Sequence, residues 1–148
     1  MRQMLKEMKA RMLAGEDLVM VTVIASSGAT PRGAGARMLV GKMGRICGTI
    51  GGGAVEYRSE QIAKTVLEEK SSRGHDFTLT RDDVQNLGMI CGGACNVFFH
   101  YLPAGDPEIL ALAEDAEACF VRGKDAWLVS DIADGGRLYL TDKGDAVL

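Results

Sequence analysis

Hydrophobic and polar positions along the chain change period several times, and each change marks an element. Over Met1–Leu13, Met1, Met4, Leu5, Met8 and Met12 share one face, with Arg2, Lys6, Lys9 and Arg11 elsewhere, which is helix spacing. Ala14-Gly15 ends that helix, and its methionine stripe reads as ordinary core. Leu18–Ala25 (LVMVTVIA) is apolar on both faces and rich in β-branched residues, so it predicts a strand buried on both sides. Strands over Arg37–Val40 and Arg45–Ile50 flank a turn at Gly41–Gly44. Ala54–Glu69 predicts a helix with Val55, Ile62, Val66 and Leu67 inward. A strand over His75–Thr80 and a polar loop over Arg81–Leu87 follow.

In Ala94–Leu102, Cys95, Val97, Phe99 and Tyr101 fall on one face of a strand, Asn96 and His100 on the other. Asp106 as N-cap and Pro107 in the first helical position open a helix that runs to Val121. Strands over Ala126–Ala133 and Arg137–Leu140 come next, and another starts at Asp145. The pattern is that of an α/β fold, a mixed sheet with flanking helices.

The end of the chain echoes its beginning. GEDLVMVTVIA from Gly15 aligns with GKDAWLVSDIA from Gly123, and RMLVGKMGRICG from Arg37 with RLYLTDKGDAVL from Arg137. Each copy reads as helix, strand and hairpin. The expected division is therefore a first domain over residues 1–103 and a partial, truncated second unit over 104–148 that packs on the first. The copies differ in one respect. The first carries SSGATPRGAGA between its strands, whereas the second needs only Asp134-Gly135-Gly136, so the longer loop is surplus to the fold and a place for function.

With 148 residues, 47% hydrophobic and 25% charged, the chain is long enough to bury a core and too apolar to be disordered. A net charge of −3 argues against a general electrostatic grip on nucleic acid or acidic lipid. The longest early apolar run is far short of the roughly 20 residues a membrane span needs. Cys47, Cys91, Cys95 and Cys119 lack paired metal spacing, and most sit in runs suited to reduced, buried thiols, which points to the cytoplasm.

The 19 glycines cluster in Ser26–Ala36, Gly48–Gly53 and Gly88–Gly93. Three such clusters between strand formers imply loops that converge on one cleft. In the first, Ser27, Gly28, Arg32, Gly35 and Arg37 supply a hydroxyl, an exposed backbone and forked cations, an inventory suited to phosphate. In the second, Gly51, Gly52 and Gly53 precede a helix start, where free N–H groups and the helix dipole seat an anion. Glu56 is there either a charge complementing the dipole or an acceptor for the N–H groups of a bound heterocycle. In the third, Cys91, Gly92 and Gly93 put a thiol beside flexible backbone, as a buried structural cysteine or a soft ligand to a metal-bearing cofactor. A thiol or redox enzyme using Cys91 and a nucleotide-binding module are the competing functional readings. Cys47, Cys95 and Cys119 read as packing residues, and His75 and His100 as surface or sheet-face histidines.

SSGATPRGAGARMLV, GTIGGGAVE and ICGG, in that order and spacing, resemble the XdhC/CoxI family over residues 10–103. Its members are maturation factors of molybdenum hydroxylases such as xanthine dehydrogenase. The resemblance implies a chaperone rather than an enzyme. Such a protein would bind the molybdenum cofactor (molybdopterin), support its sulfuration by a cysteine desulfurase, and deliver it to the apo molybdenum hydroxylase. Gly28, Pro31, Arg32, Gly35 and Ala36 match the family's first motif, Gly52, Gly53 and Glu56 the second, and Cys91, Gly92 and Gly93 the third. Arg32 and the Gly51–Gly53 amides would then suit the phosphate, Glu56 the pterin edge and Cys91 the molybdenum. Two features depart from the pattern: Ala54 stands where many relatives have cysteine, and the chain is expected to stop short of the Rossmann-type C-terminal domain of typical members. A homodimer is expected.

Overall fold

The computed structural model describes residues 1–27, 33–78, 94–133 and 135–142. In chain order its elements are α1 (Arg2–Leu13), β1 (Leu18–Ser27), β2 (Arg37–Gly41), β3 (Gly44–Gly48), α2 (Gly53–Glu69), β4 (Arg73–Thr78), β5 (Ala94–Leu102), α3 (Pro107–Val121), β6 (Trp127–Asp131) and β7 (Arg137–Thr141). β1 is the centre of a five-stranded sheet of order β3-β2-β1-β5-β4, and β6 and β7 pair as a separate two-stranded sheet.

The doubly apolar run behaves as its composition requires. Leu18, Val19, Met20, Val21 and Val23 are each no more than 1% exposed. Val19, Val21 and Val23 face α2, packing with Met38, Val40, Val55, Ala63, Val66, Val97 and Phe99. Leu18 and Met20 face the other way, into a core with Met4, Met8, Met12, Leu39, Leu102, Leu112 and Ala113 from α1, α3 and the sheet. Of the methionine stripe, Met4, Met8 and Met12 are thus core, whereas Met1 at the chain start is exposed. Burying a side chain of this size stabilises by about 1.5–3 kcal/mol. Asp106 caps α3 through its carboxylate, which accepts the Glu108 and Ile109 amides, and Pro107 follows at the helix start.

The α/β class and the flanking helices are as expected. The mixed sheet is not: every pairing of described strands is antiparallel. β3 and β4 do run the same way on either side of α2, but they lie at opposite edges, and α2 crosses the whole face between them. β1 also extends to Ser27, because Ser26 and Ser27 continue the ladder opposite Cys95 and Ala94. β3 stops at Gly48, two residues short of the expected end, where the chain turns into α2. The expected loop over 81–87 and the strand from Asp145 lie outside the described residues.

α3 is followed by the antiparallel pair of β6 and β7, and these elements contact α1 and the five-stranded sheet. Lys9 meets Glu117 at 3.3 Å between α1 and α3. Leu128, Leu138 and Leu140 from the inner face of β6 and β7 pack against the α1-side core. At the opposite end of β1, Asp17 accepts the Ala104 amide at 2.8 Å and the Tyr101 hydroxyl at 2.9 Å, tying the start of β1 to the end of β5.

Candidate functional site

β1, β3 and β4 run toward one end of the sheet, and β2 and β5 begin there. Thr22 pairs with Arg37, Met38 with Gly48, and Ala94 with both Ser27 and Thr78. The described strand ends that flank all three glycine-rich segments therefore belong to the same end of the sheet. Gly28, Pro31, Arg32, Cys91, Gly92 and Gly93 lie outside the described residues.

The second segment is described in full, and its geometry is built around Glu56. Its Oε1 accepts from the Thr49 hydroxyl at 2.6 Å, the Ile50 amide at 3.0 Å and the Gly52 amide at 3.3 Å. Oε2 faces Arg45 Nε at 3.8 Å. Burial alone would raise this carboxyl. The bonds from Thr49, Ile50 and Gly52, with the Arg45 charge, outweigh it and hold Glu56 below the usual carboxylate range. A charged carboxylate one turn into α2 also complements the helix dipole.

These bonds change which amides can face a ligand. Gly52 N–H is taken by Glu56, and Gly51 N–H by Thr49 Oγ1 at 3.0 Å. Among the described residues, the donors left pointing along the helix axis are those of the first turn of α2, beginning at exposed Gly53, since the N-cap Gly52 has no side chain to accept them. Gly52 has φ +75°, and none of the described residues lies within 4 Å of where a Cβ would be. Its backbone angle demands glycine, and the described residues leave the space beside it open to a bound group. Thr49 and Arg45 were not among the sequence candidates. The available signal was the hydroxyl at the strand end, seven residues before a helix-start glutamate.

Gly35 and Ala36 close the first segment onto β1: the Gly35 amide donates to Val23 O at 2.8 Å, and the Val23 amide to Ala36 O at 2.9 Å. Arg37 takes a different course from the others. Its side chain projects onto the α1 side of the sheet, where Nη1 donates to Thr22 Oγ1 at 3.0 Å and Ser130 Oγ at 2.8 Å. Nη2 donates to Leu128 O at 3.0 Å. Burial pushes this guanidinium down from its ordinary value. Arg37 thus spends its donors on the protein, on the face opposite α2 and Glu56.

Cys47, Cys95 and Cys119 are free thiols, and burial raises Cys95 and Cys47, so neither is poised as a thiolate. His100 is a sheet-face residue, 2% exposed, with no partner for Nε2 among the described residues. Burial, with Arg37 nearby, lowers it to about 4. Among the described residues no three His, Cys, Asp or Glu side chains gather as a metal site, and no helix is long and apolar enough to cross a membrane.

The sequence profile of the XdhC and CoxI family matches residues 12–93. The chain is 39% identical over 79 residues to the uncharacterized protein YqeB of Escherichia coli (strain K12), covering 53% of this chain and 14% of that protein. It is 29% identical over 130 residues to a probable xanthine dehydrogenase subunit of Bacillus subtilis (strain 168), covering 87% and 39%. It is 30% identical over 104 residues to the molybdenum cofactor insertion chaperone PaoD of Escherichia coli (strain K12), covering 68% and 31%. The chain thus spans from 14% to 39% of the length of these relatives. A crystal structure of a xanthine dehydrogenase from Bacillus halodurans superposes with a TM-score of 0.66 at 23% identity, over 93% of this chain and 40% of that one. At that identity the likeness is one of fold.

Proposed function

The chain belongs to the XdhC and CoxI family, and from that premise we propose that it binds the molybdenum cofactor and passes it on during maturation of a xanthine dehydrogenase-type molybdenum hydroxylase. One observation carries the reading: the strand ends flanking three glycine-rich segments lie at one end of the sheet, beside an uncapped helix start. The name of PaoD, a molybdenum cofactor insertion chaperone, supports the choice of cargo.

The cargo is an anion with a planar, hydrogen-bonding ring and a soft metal end. Its phosphate would meet the first-turn amides of α2, where the helix dipole contributes roughly half a positive charge, and the Arg32 guanidinium. The pterin edge would lie toward Glu56 Oε2, since Oε1 already accepts from Thr49, Ile50 and Gly52. Cys91 would face the molybdenum, since a thiolate is a soft donor. Neutral amides and few cations bind without trapping, which a carrier requires because it must also release. The apo-hydroxylase and a cysteine desulfurase are the partners of this reading, and a homodimer is the working assembly.

The test is direct binding. Apo-protein mixed anaerobically with cofactor released from a donor molybdoenzyme should retain pterin through gel filtration, detected by fluorescence after oxidation. Arg32→Ala should lower retention about tenfold, the loss of one charge-assisted contact. No retention by the unmodified chain would end the proposal.

A further inference from the structure

We propose that Arg37 is a positioning residue through which the β6–β7 hairpin sets the geometry of the two glycine-rich segments that flank it in space. Arg37 is where three parts of the molecule meet. Through its side chain it holds Ser130 and Leu128 of β6. Through its carbonyl it accepts the Thr49 amide at 3.1 Å. Thr49 in turn bonds both Glu56 and the Gly51 amide. Directly before Arg37 in the chain, Gly35 and Ala36 are the residues that close the first segment onto Val23. A continuous set of hydrogen bonds therefore runs from the hairpin, through one residue, to both segments.

The energetics make this more than a contact chain. The guanidinium is largely buried, and its partners among the described residues are all neutral: two hydroxyls, a carbonyl and the Met20 sulfur. A buried cation without a counter-ion is tolerated only while its acceptors are in place. If the hairpin shifts, Ser130 and Leu128 leave together and the charge must find water. That requires the start of β2 to move, and with it the carbonyl that holds Thr49.

The hairpin is seated independently at its tip, where Gly136 (φ +82°) rests on Phe98 and His100. A Cβ there would lie 2.6 Å from the Phe98 ring. The two copies of the sequence echo meet at this arginine: Met20 and Thr22 of β1 correspond to Leu128 and Ser130 of β6, and all four contact it. The matching arginine of the second copy, Arg137, is exposed and pairs with Glu108 at 3.4 Å. Only the first copy uses its arginine as a strut.

The inference concerns the end of the sheet assigned above to the cofactor, and its consequence for binding rests on that reading. The test separates the two. Hydrogen exchange of the apo-protein is compared for the unmodified chain, Ser130→Ala, Ser130→Thr and Arg37→Lys. Ser130→Ala and Arg37→Lys should speed exchange at the Gly35, Thr49, Gly51 and Gly52 amides by about tenfold, as expected for one charge-assisted hydrogen bond. The β4–β5 ladder should be unaffected, and Ser130→Thr, which keeps the hydroxyl, should exchange as the unmodified chain does. Acceleration confined to β6 and β7, or spread evenly over the sheet, would overturn the coupling. In a second arm, Ser130→Ala should weaken retention of the molybdenum cofactor severalfold. If the unmodified chain retains none, the functional reading fails while the exchange result still decides the coupling.

Discussion

Arg37 and Ser130 stand 93 positions apart in the chain and are joined by a 2.8 Å hydrogen bond beneath the β6–β7 hairpin. The bond belongs to a buried guanidinium, so its loss is costly in a particular way. Arg37→Met would leave Thr22 Oγ1, Ser130 Oγ and Leu128 O without their donor in a partly buried setting. We expect a loss of about 2–4 kcal/mol in urea unfolding at neutral pH. Arg37→Met combined with Ser130→Ala should cost less than the sum of the single changes, since both remove the same bond.

His100 makes stability depend on pH in a defined window. It is held to about 4 in the fold, against an ordinary 6.5, first by burial and then by Arg37. Above 6.5 the residue is neutral in both folded and unfolded chains, and nothing is lost. As pH falls from 6.5 toward 4 the unfolded chain takes up the proton first, so stability falls, by up to about 3 kcal/mol. His100→Leu should flatten this part of the curve, which thermal unfolding from pH 7 to pH 5 would reveal. An unchanged slope in the variant would refute the assignment.

Glu56 acts at lower pH. Its folded pKa lies below the usual carboxylate value of 4.5, so its contribution is complete above that value and disappears as pH falls through the folded one. Glu56→Gln keeps the shape but removes the charge shared by Thr49, Ile50 and Gly52. The expected cost is about 1–2 kcal/mol at pH 7. Denaturant titrations of both proteins should converge only as pH falls through the lowered folded-state pKa, where the wild-type carboxyl is itself protonated.

Gly136 tests the seat of the hairpin. Alanine there would adopt φ +82° and press its Cβ to within 2.6–2.8 Å of the Phe98 ring. Strain and overpacking together should cost about 2–4 kcal/mol. Near-ultraviolet spectra from Trp127 on β6 would report whether the hairpin lifts instead. Gly135→Ala, with a similar backbone angle but nothing within 4 Å, should cost only the angular strain.

Much of the fold was legible in the residues themselves. The methionine stripe, the doubly apolar β1 run, the alternation of β5 and the Asp106-Pro107 helix start are local patterns, and local patterns survive folding when burial agrees with them. The pairing direction was less accessible, because strand composition is nearly the same in parallel and antiparallel sheets. It depends on where α2 returns the chain, and α2 crosses to the far edge.

The candidate site divides along the same line. Glycine clustering marked the segments, and the strand pairing brings their described ends to one side of the sheet. Arg37 shows what one-dimensional reading cannot supply. As a residue type next to a glycine loop it looked like an anion ligand, but strand alternation sent its side chain to the α1 face, where the acceptors come from a hairpin remote in sequence. Glu56 likewise looked free to receive a ligand, and its Oε1 proved to be taken by the Thr49 hydroxyl and the Ile50 and Gly52 amides.

Residue chemistry and local spacing determined the elements, the two-sided core and the family. The tertiary structure alone decided which donors and acceptors are already spent, because a hydrogen bond depends on distances of about 3 Å between groups whose separation along the chain carries no such information.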